Sequence, residues 1–349
     1  ASDGQDGVNM AGGEFAFIEQ LRCRLGKMAS DVRLGIGDDA AWLDPAGRQL
    51  VATMDTLVAG RHFFPEVSPE DLAWKALAVN LSDLAAMGAE ARWCLLSLAL
   101  PWRAEGYGEW LEAFATGWSA LADRHDVTLV GGDTVATDGP LTLSITALGL
   151  SGHGVMRREA ARPGDVIWVT GTLGDAAAAL DLALVERGQE RRAVPCSAPR
   201  RDALEARRLR PTPRLEFGAA ALAGGVLCAV DCSDGFLADL GHILKASGVH
   251  AQVALDALPL SPDLADLART DPERLQRWPL TGGDDYELIL CAAPALSTAL
   301  QEAARSLSLR LTAVGSILPA TPDARAAVTL TWRDESLSLP FSWGHVHAL

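Results

Sequence analysis

Basic charge is scarce in this chain of 349 residues: Asp and Glu number 45 against 30 Lys and Arg, a formal charge of −15. That balance argues against a nucleic-acid partner, because phosphate-backbone binding needs a basic footprint. Paired cysteines are also missing. The six present (Cys23, Cys94, Cys196, Cys228, Cys232 and Cys291) are scattered and form no CxxC, which argues against zinc and disulfides and suits reduced thiols in the cytoplasm. No apolar run reaches membrane-spanning length; WCLLSLALPW is too short. No signal peptide is read at the start, and residues 1–12 are read as a flexible leader.

Familiar nucleotide machinery is absent too. The one Gly-Lys, Gly26-Lys27, has no glycine at the Walker spacing, and RHD at 124–126 is not a protein-kinase catalytic loop. No loop has the EF-hand alternation of acids.

What the chain does have is a 49% apolar composition and a length suited to two domains. Helical spacing is expected over Glu14–Leu25 and over 108–124. A third helix has Ser68 as cap, Pro69 at its first position, Leu77, Leu81 and Leu84 as its apolar stripe, and Gly88 at its end. Strands are expected at 49–57, 93–100, 127–133 and 141–150, then in DVIWVTG, VLCAVDCSDG and YELILCA. The glycine- and charge-rich stretch 151–165 reads as a junction, so the expected domains are 13–151 and 152–349, each α/β or α+β.

Aspartates recur where apolar runs meet small residues: Asp38 and Asp39 in GIGDDAA, Asp55 in TMDT, Asp83 in NLSDLAAMG, Asp133 in VGGDT, Asp231 and Asp234 in DCSDG, and Asp284 and Asp285 in GGDDYE. Any one of them is explained by a solvated turn. If they converge on one place they require a cation, since two carboxylates ~4 Å apart repel by about 4 kcal/mol at an effective dielectric near 20. Hard oxygen donors select magnesium or calcium over zinc, and magnesium commonly completes its shell with nucleotide phosphate.

Read in order, GIGDDAA, MDTLVAGRHF, KALAVNLSDLAAMGA, LVGGDT, RPGDVIWVTGTLGDAAA, DCSDGFLADLGHI and GGDDYEL resemble the thiamine-monophosphate kinase family of the PurM-like, aminoimidazole-ribonucleotide-synthetase-like superfamily. The resemblance implies a two-domain α/β (α+β) fold, with an N-terminal mixed sheet that dimerises and a C-terminal α/β domain. It implies a homodimeric, ATP-dependent enzyme that phosphorylates thiamine monophosphate with several Mg2+ ions. Position by position it assigns Asp39, Thr53, Met54 (by its carbonyl), Asp55, Asp83, Asp133, Asp231 and Asp234 to metal. Asp55, Asp83, Asp133 and Asp234 thereby carry catalysis through the bound ions, with no general base. Gly132, Asp133, Arg158 and Ser233 fall on nucleotide contacts, and His62, Asp284 and His345 on substrate contacts.

Other readings stand beside these. His62 also reads as a hydrogen-bonded structural histidine, Arg158 as a surface charge interchangeable with Arg157, and His345, beside Trp343, as part of a polar tail. Trp42 and Trp93 read as core. A different PurM-like enzyme, or a nucleotide or magnesium sensor without catalysis, is the alternative function.

Overall fold

A computed structural model describes residues 23–25, 29–34, 42–101, 107–152, 154–189, 196–268, 272–320, 328–332 and 335–337. The chain divides into two compact units, residues 1–80 with 91–150, and residues 81–90 with 151–349. Of the helix expected over 14–25, residues 23–25 are described and are helical.

The first unit holds a short β1–β2 pair (Val32–Leu34, Trp42–Leu43) and strands β3 (Gln49–Val58), β4 (Glu90–Pro101), β5 (Thr128–Thr137) and β6 (Thr142–Ser151). These four form one sheet in the order β3-β6-β4-β5, with β4 and β5 parallel. Helix α1 (Pro69–Ala86) starts as expected: the Asp71 N–H donates to Ser68 Oγ at 3.1 Å, and the Ser68 hydroxyl returns a bond to Asp71 Oδ2 at 2.8 Å. Leu77, Leu81 and Leu84 are fully buried, but so are Leu72, Ala78 and Ala85, so the helix is enclosed on nearly every side. Helix α2 (Tyr107–Ala122) buries Leu111, Phe114 and Trp118. Trp93 is core, with Val32, Val130 and Leu150 around it.

The second unit is built on a seven-stranded sheet. Its strands are β7 (Val166–Thr170), β8 (Cys228–Asp231), β9 (His250–Ala254), β10 (Leu288–Ala292), β11 (Leu311–Leu318), β12 (Val328–Trp332) and β13 (Glu335–Leu337). Their order is β13-β12-β9-β11-β7-β10-β8. The helices are α3 (Asp175–Glu186), α4 (Ala198–Leu209), α5 (Leu215–Ala223), α6 (Phe236–Ser247), α7 (Pro262–Ala268), α8 (Pro272–Thr281) and α9 (Ser297–Ser306). Ile167, Val230, Phe236, Leu240, Ile289 and Val314 belong to the main apolar cluster.

Alternation of strands and helices suggests parallel pairing, yet β10 runs antiparallel to both β7 and β8 and lies between them. The C-terminal ends of β7 and β8 therefore share a sheet end with the N-terminal start of β10. The turns GTLGD, DCSDG and GGDDYE all fall at that end.

Candidate active site

In the first unit the expected ligands occupy opposite edges of the sheet. Thr53, Met54 and Asp55 are on β3, Gly132 and Asp133 are on β5, and two strands intervene. Asp55 is held by its backbone, whose N–H donates to Asn80 Oδ1 at 3.0 Å. Asn80 is fully buried on α1 and uses its amide on the Ala76 carbonyl, so it ties β3 to the helix. Gly132 is required by close approach, because a Cβ there would lie 1.9 Å from the Leu96 carbonyl oxygen of β4. Asp133 is exposed, and its Oδ1 accepts from the Thr134 N–H at 2.9 Å. His62 is half-buried, and its Nδ1 accepts from the Val58 N–H at 3.0 Å. A neutral His62 so bonded carries its proton on Nε2.

In the second unit several motifs meet. The Ser82 hydroxyl donates to Asp231 Oδ2 at 2.8 Å, which brings the NLSD segment of α1, with half-buried Asp83, to the end of β8. Asp231 itself is buried. Ser233 accepts at its carbonyl from the Asp284 N–H at 2.8 Å, joining DCSDG to GGDD. Asp239 on α6 accepts from the backbone N–H groups of Asp234 and Gly235, both at 3.0 Å. Burial, aided by the Asp234 charge, pushes the Asp239 carboxyl up to about 7 despite those bonds. Asp234, Asp239 and His242 offer ligand atoms within 4.8 Å of one another. Arg157 and Arg158 are both exposed. Arg157 pairs with Glu159 at 2.9 Å, whereas Arg158 makes no ion pair among the described residues. Asp39 and His345 lie outside the described residues.

The acidic pair in GGDD divides its labour. Asp284 is half-buried at φ 69, and the Tyr286 hydroxyl donates to its Oδ1 at 3.0 Å. Asp285 is buried, and its Oδ2 accepts from the Gly174 N–H at 2.8 Å. Burial raises the Asp285 carboxyl well above the usual range. Tyr286 has φ 51, so two non-glycine residues of this turn are left-handed, at roughly 1 kcal/mol or more each.

The expected donors suit magnesium by type, although those of the first unit stand on opposite edges of its sheet with two strands between. The carboxylates, the Thr53 hydroxyl and the Met54 carbonyl are hard oxygen ligands. Cys232, between Asp231 and Ser233, is no soft competitor: burial, then Asp239 and Asp285, hold its thiol well above its ordinary pKa and so neutral. Sequence reasoning missed Asn80 and Ser82 as fasteners. Their signal was polar residues on an otherwise apolar helix.

Two mixed α/β units carrying acidic turns define the AIR synthase related class: residues 37–151 match the N-terminal domain of AIR synthase related protein, and 162–324 match its C-terminal domain. Within that class, a curated thiamine-monophosphate kinase from Salmonella typhimurium is 45% identical over 312 residues, 88% of this chain and 91% of the relative. The crystal structure of thiamine-monophosphate kinase from Stenotrophomonas maltophilia K279a is 47% identical with a TM-score of 0.79, over 93% of this chain and 98% of that one. A structure of AaThiL complexed with AMPPCP and TMP has 27% identity and a TM-score of 0.71, over 98% of this chain and 100% of that one. The chain belongs to the thiamine-monophosphate kinase family.

Proposed function

We propose that the chain transfers the γ-phosphoryl group of ATP directly to thiamine monophosphate, giving thiamine diphosphate and ADP. The observation that carries this is 45% identity over 88% of the chain to a curated enzyme of that activity. The acidic motifs support it by their chemistry. A phosphate's second pKa is about 6, so the acceptor oxygen is already an anion near neutrality and needs no general base. The obstacle is repulsion between two anions, and positioning with charge neutralisation is what phosphoryl transfer asks of a protein.

Magnesium, when bound, supplies that neutralisation. Its proposed ligands are Thr53, the Met54 carbonyl, Asp55 and Asp133 in the first unit, Asp83, Asp231 and Asp234 in the second, and Asp39. Gly132, Asp133, Arg158 and Ser233 hold the nucleotide. His62, a neutral donor through Nε2–H, Asp284 and His345 contact thiamine monophosphate. Asp284 sets a carboxylate for the cationic thiazolium.

We also assign a homodimer. The edge strands of the first unit's sheet expose Leu50 (57%), Met54 (64%) and Val135 (48%), apolar surface that a second copy would cover. The free cysteines, four of them buried, suit a reducing cytoplasm. Incubation with ATP, Mg2+ and thiamine monophosphate, followed by chromatography, tests the reading: thiamine diphosphate and ADP are expected in equal amounts. Bound nucleotide without ADP release would instead favour a sensor.

A further inference from the structure

Glu287 follows the GGDDY turn and is fully buried, with both carboxylate oxygens occupied. Arg214 grips it with a fork, Nε to Oε2 at 2.7 Å and Nη2 to Oε1 at 2.6 Å. Arg207 Nη2 adds a bond to Oε1 at 2.7 Å, and the Thr170 hydroxyl one to Oε2 at 2.8 Å. The GTLG turn closes over the same carboxylate. Gly171 has φ +58, and a Cβ there would lie 2.0 Å from Glu287 Oε1.

The backbone of this stretch is fastened as well. Cys232 N–H donates to the Glu287 carbonyl at 2.7 Å, and Tyr286 N–H to the Cys232 carbonyl at 2.9 Å. The left-handed Asp284 and Tyr286 are thus strung between an anchored Glu287 and the DCSDG turn. Such geometry persists only where surroundings over-determine it. A paired, fully bonded buried carboxylate supplies that constraint better than a neutral group, since its charge-assisted bonds are short and directional.

We infer that Arg214 and Arg207, acting through Glu287, are positioning residues that set the direction of the Asp284 carboxylate and hence the affinity for thiamine monophosphate. This rests on the reading of Asp284 as a substrate contact. Glu287 is fully buried behind the turn, and both arginines are engaged with its carboxylate.

Steady-state kinetics of the full chain with ATP, Mg2+ and thiamine monophosphate decide the matter. Arg207→Gln should raise the KM for thiamine monophosphate by about tenfold, the loss of one charge-assisted bond, and Glu287→Gln, which neutralises the acceptor of three, by at least as much. The KM for ATP should stay within about twofold. Arg207→Lys, which can still donate one charged bond, should recover most of the affinity. If Glu287→Gln fails to fold by circular dichroism, Arg207→Gln carries the test, because Arg207 is the more exposed arginine and Arg214 remains in place. A lowered melting temperature with both KM values unchanged, or both KM values rising together, overturns the inference. Asp284→Asn separates the two failures. If it raises the KM for thiamine monophosphate while the Glu287 and Arg207 variants do not, only the positioning role falls. If Asp284→Asn leaves that KM unchanged, the substrate-contact reading falls and the inference with it.

Discussion

At the scale of single residues, the acidic motifs mix carboxylates proposed as ligands with Asp285, whose Oδ2 is buried against the Gly174 N–H. Asp55 and Asp83 are half-buried and proposed as ligands. Replacing either by Asn keeps the shape and removes the charge, so turnover should fall by about a hundredfold or more while the melting curve barely moves. Near-normal turnover in both variants would remove the metal scaffold from the mechanism. Tyr286→Phe deletes the hydroxyl that holds Asp284 Oδ1. The expected result is a several-fold rise in the KM for thiamine monophosphate with kcat little changed, read from initial rates. Asp285, one residue along, is structural, and nothing in the string GGDD distinguishes it. That distinction needs the Gly174 N–H, which comes from a turn more than a hundred positions earlier.

At the scale of elements, local signals were strong where the chain punctuates itself. Ser68, Pro69 and Gly88 bracket α1, and the expected bounds of β3 and β5 agree with the observed starts within a residue. Pairing was invisible. Because β10 inserts antiparallel between β7 and β8, three turns that look unrelated in sequence share one sheet end. Helix α4 was not read at all, although its Arg207, with Arg214 beyond it, reaches Glu287. Arginine on a polar helix looks like a solvated face until its partner is known. Gly171→Ala tests that junction: a Cβ cannot share space with Glu287 Oε1, so the variant should lose about 2 kcal/mol or more in urea unfolding. Acid sensitivity follows from the same pair. Burial alone would raise the Glu287 carboxyl, but Arg214, then Arg207 and Thr170, hold it below its ordinary range. A depressed folded-state pKa stabilises above the unfolded value of about 4.3 and is lost as pH falls through the lower folded value. Glu287→Gln should therefore flatten the acid limb of stability against pH, measured by melts below about pH 4.

At the scale of the whole molecule, a glycine- and charge-rich stretch follows Leu150, and the second compact unit takes up the chain again at Ser151. What no boundary signal announced is that residues 81–90, within α1 and its exit, group with the later half of the chain. Within the first unit Asn80 accepts from the Asp55 N–H, and within the second Ser82 donates to Asp231. Removing divalent metal with a chelator should abolish turnover, and added Mg2+ should restore it, while far-UV circular dichroism stays unchanged. Light scattering should give the mass of two chains, and Val135→Glu on the exposed edge should reduce it to one.

The position of β10 also bears on how the protein is made. Both neighbours of β7, namely β10 and β11, are encoded far downstream of it. A growing polypeptide leaving the ribosome therefore carries β7 as a bare apolar ribbon until residues 288–318 emerge. Over that interval neither of its two sheet neighbours is available to cover it, so a chain truncated before Leu288 should collect in the insoluble fraction on expression.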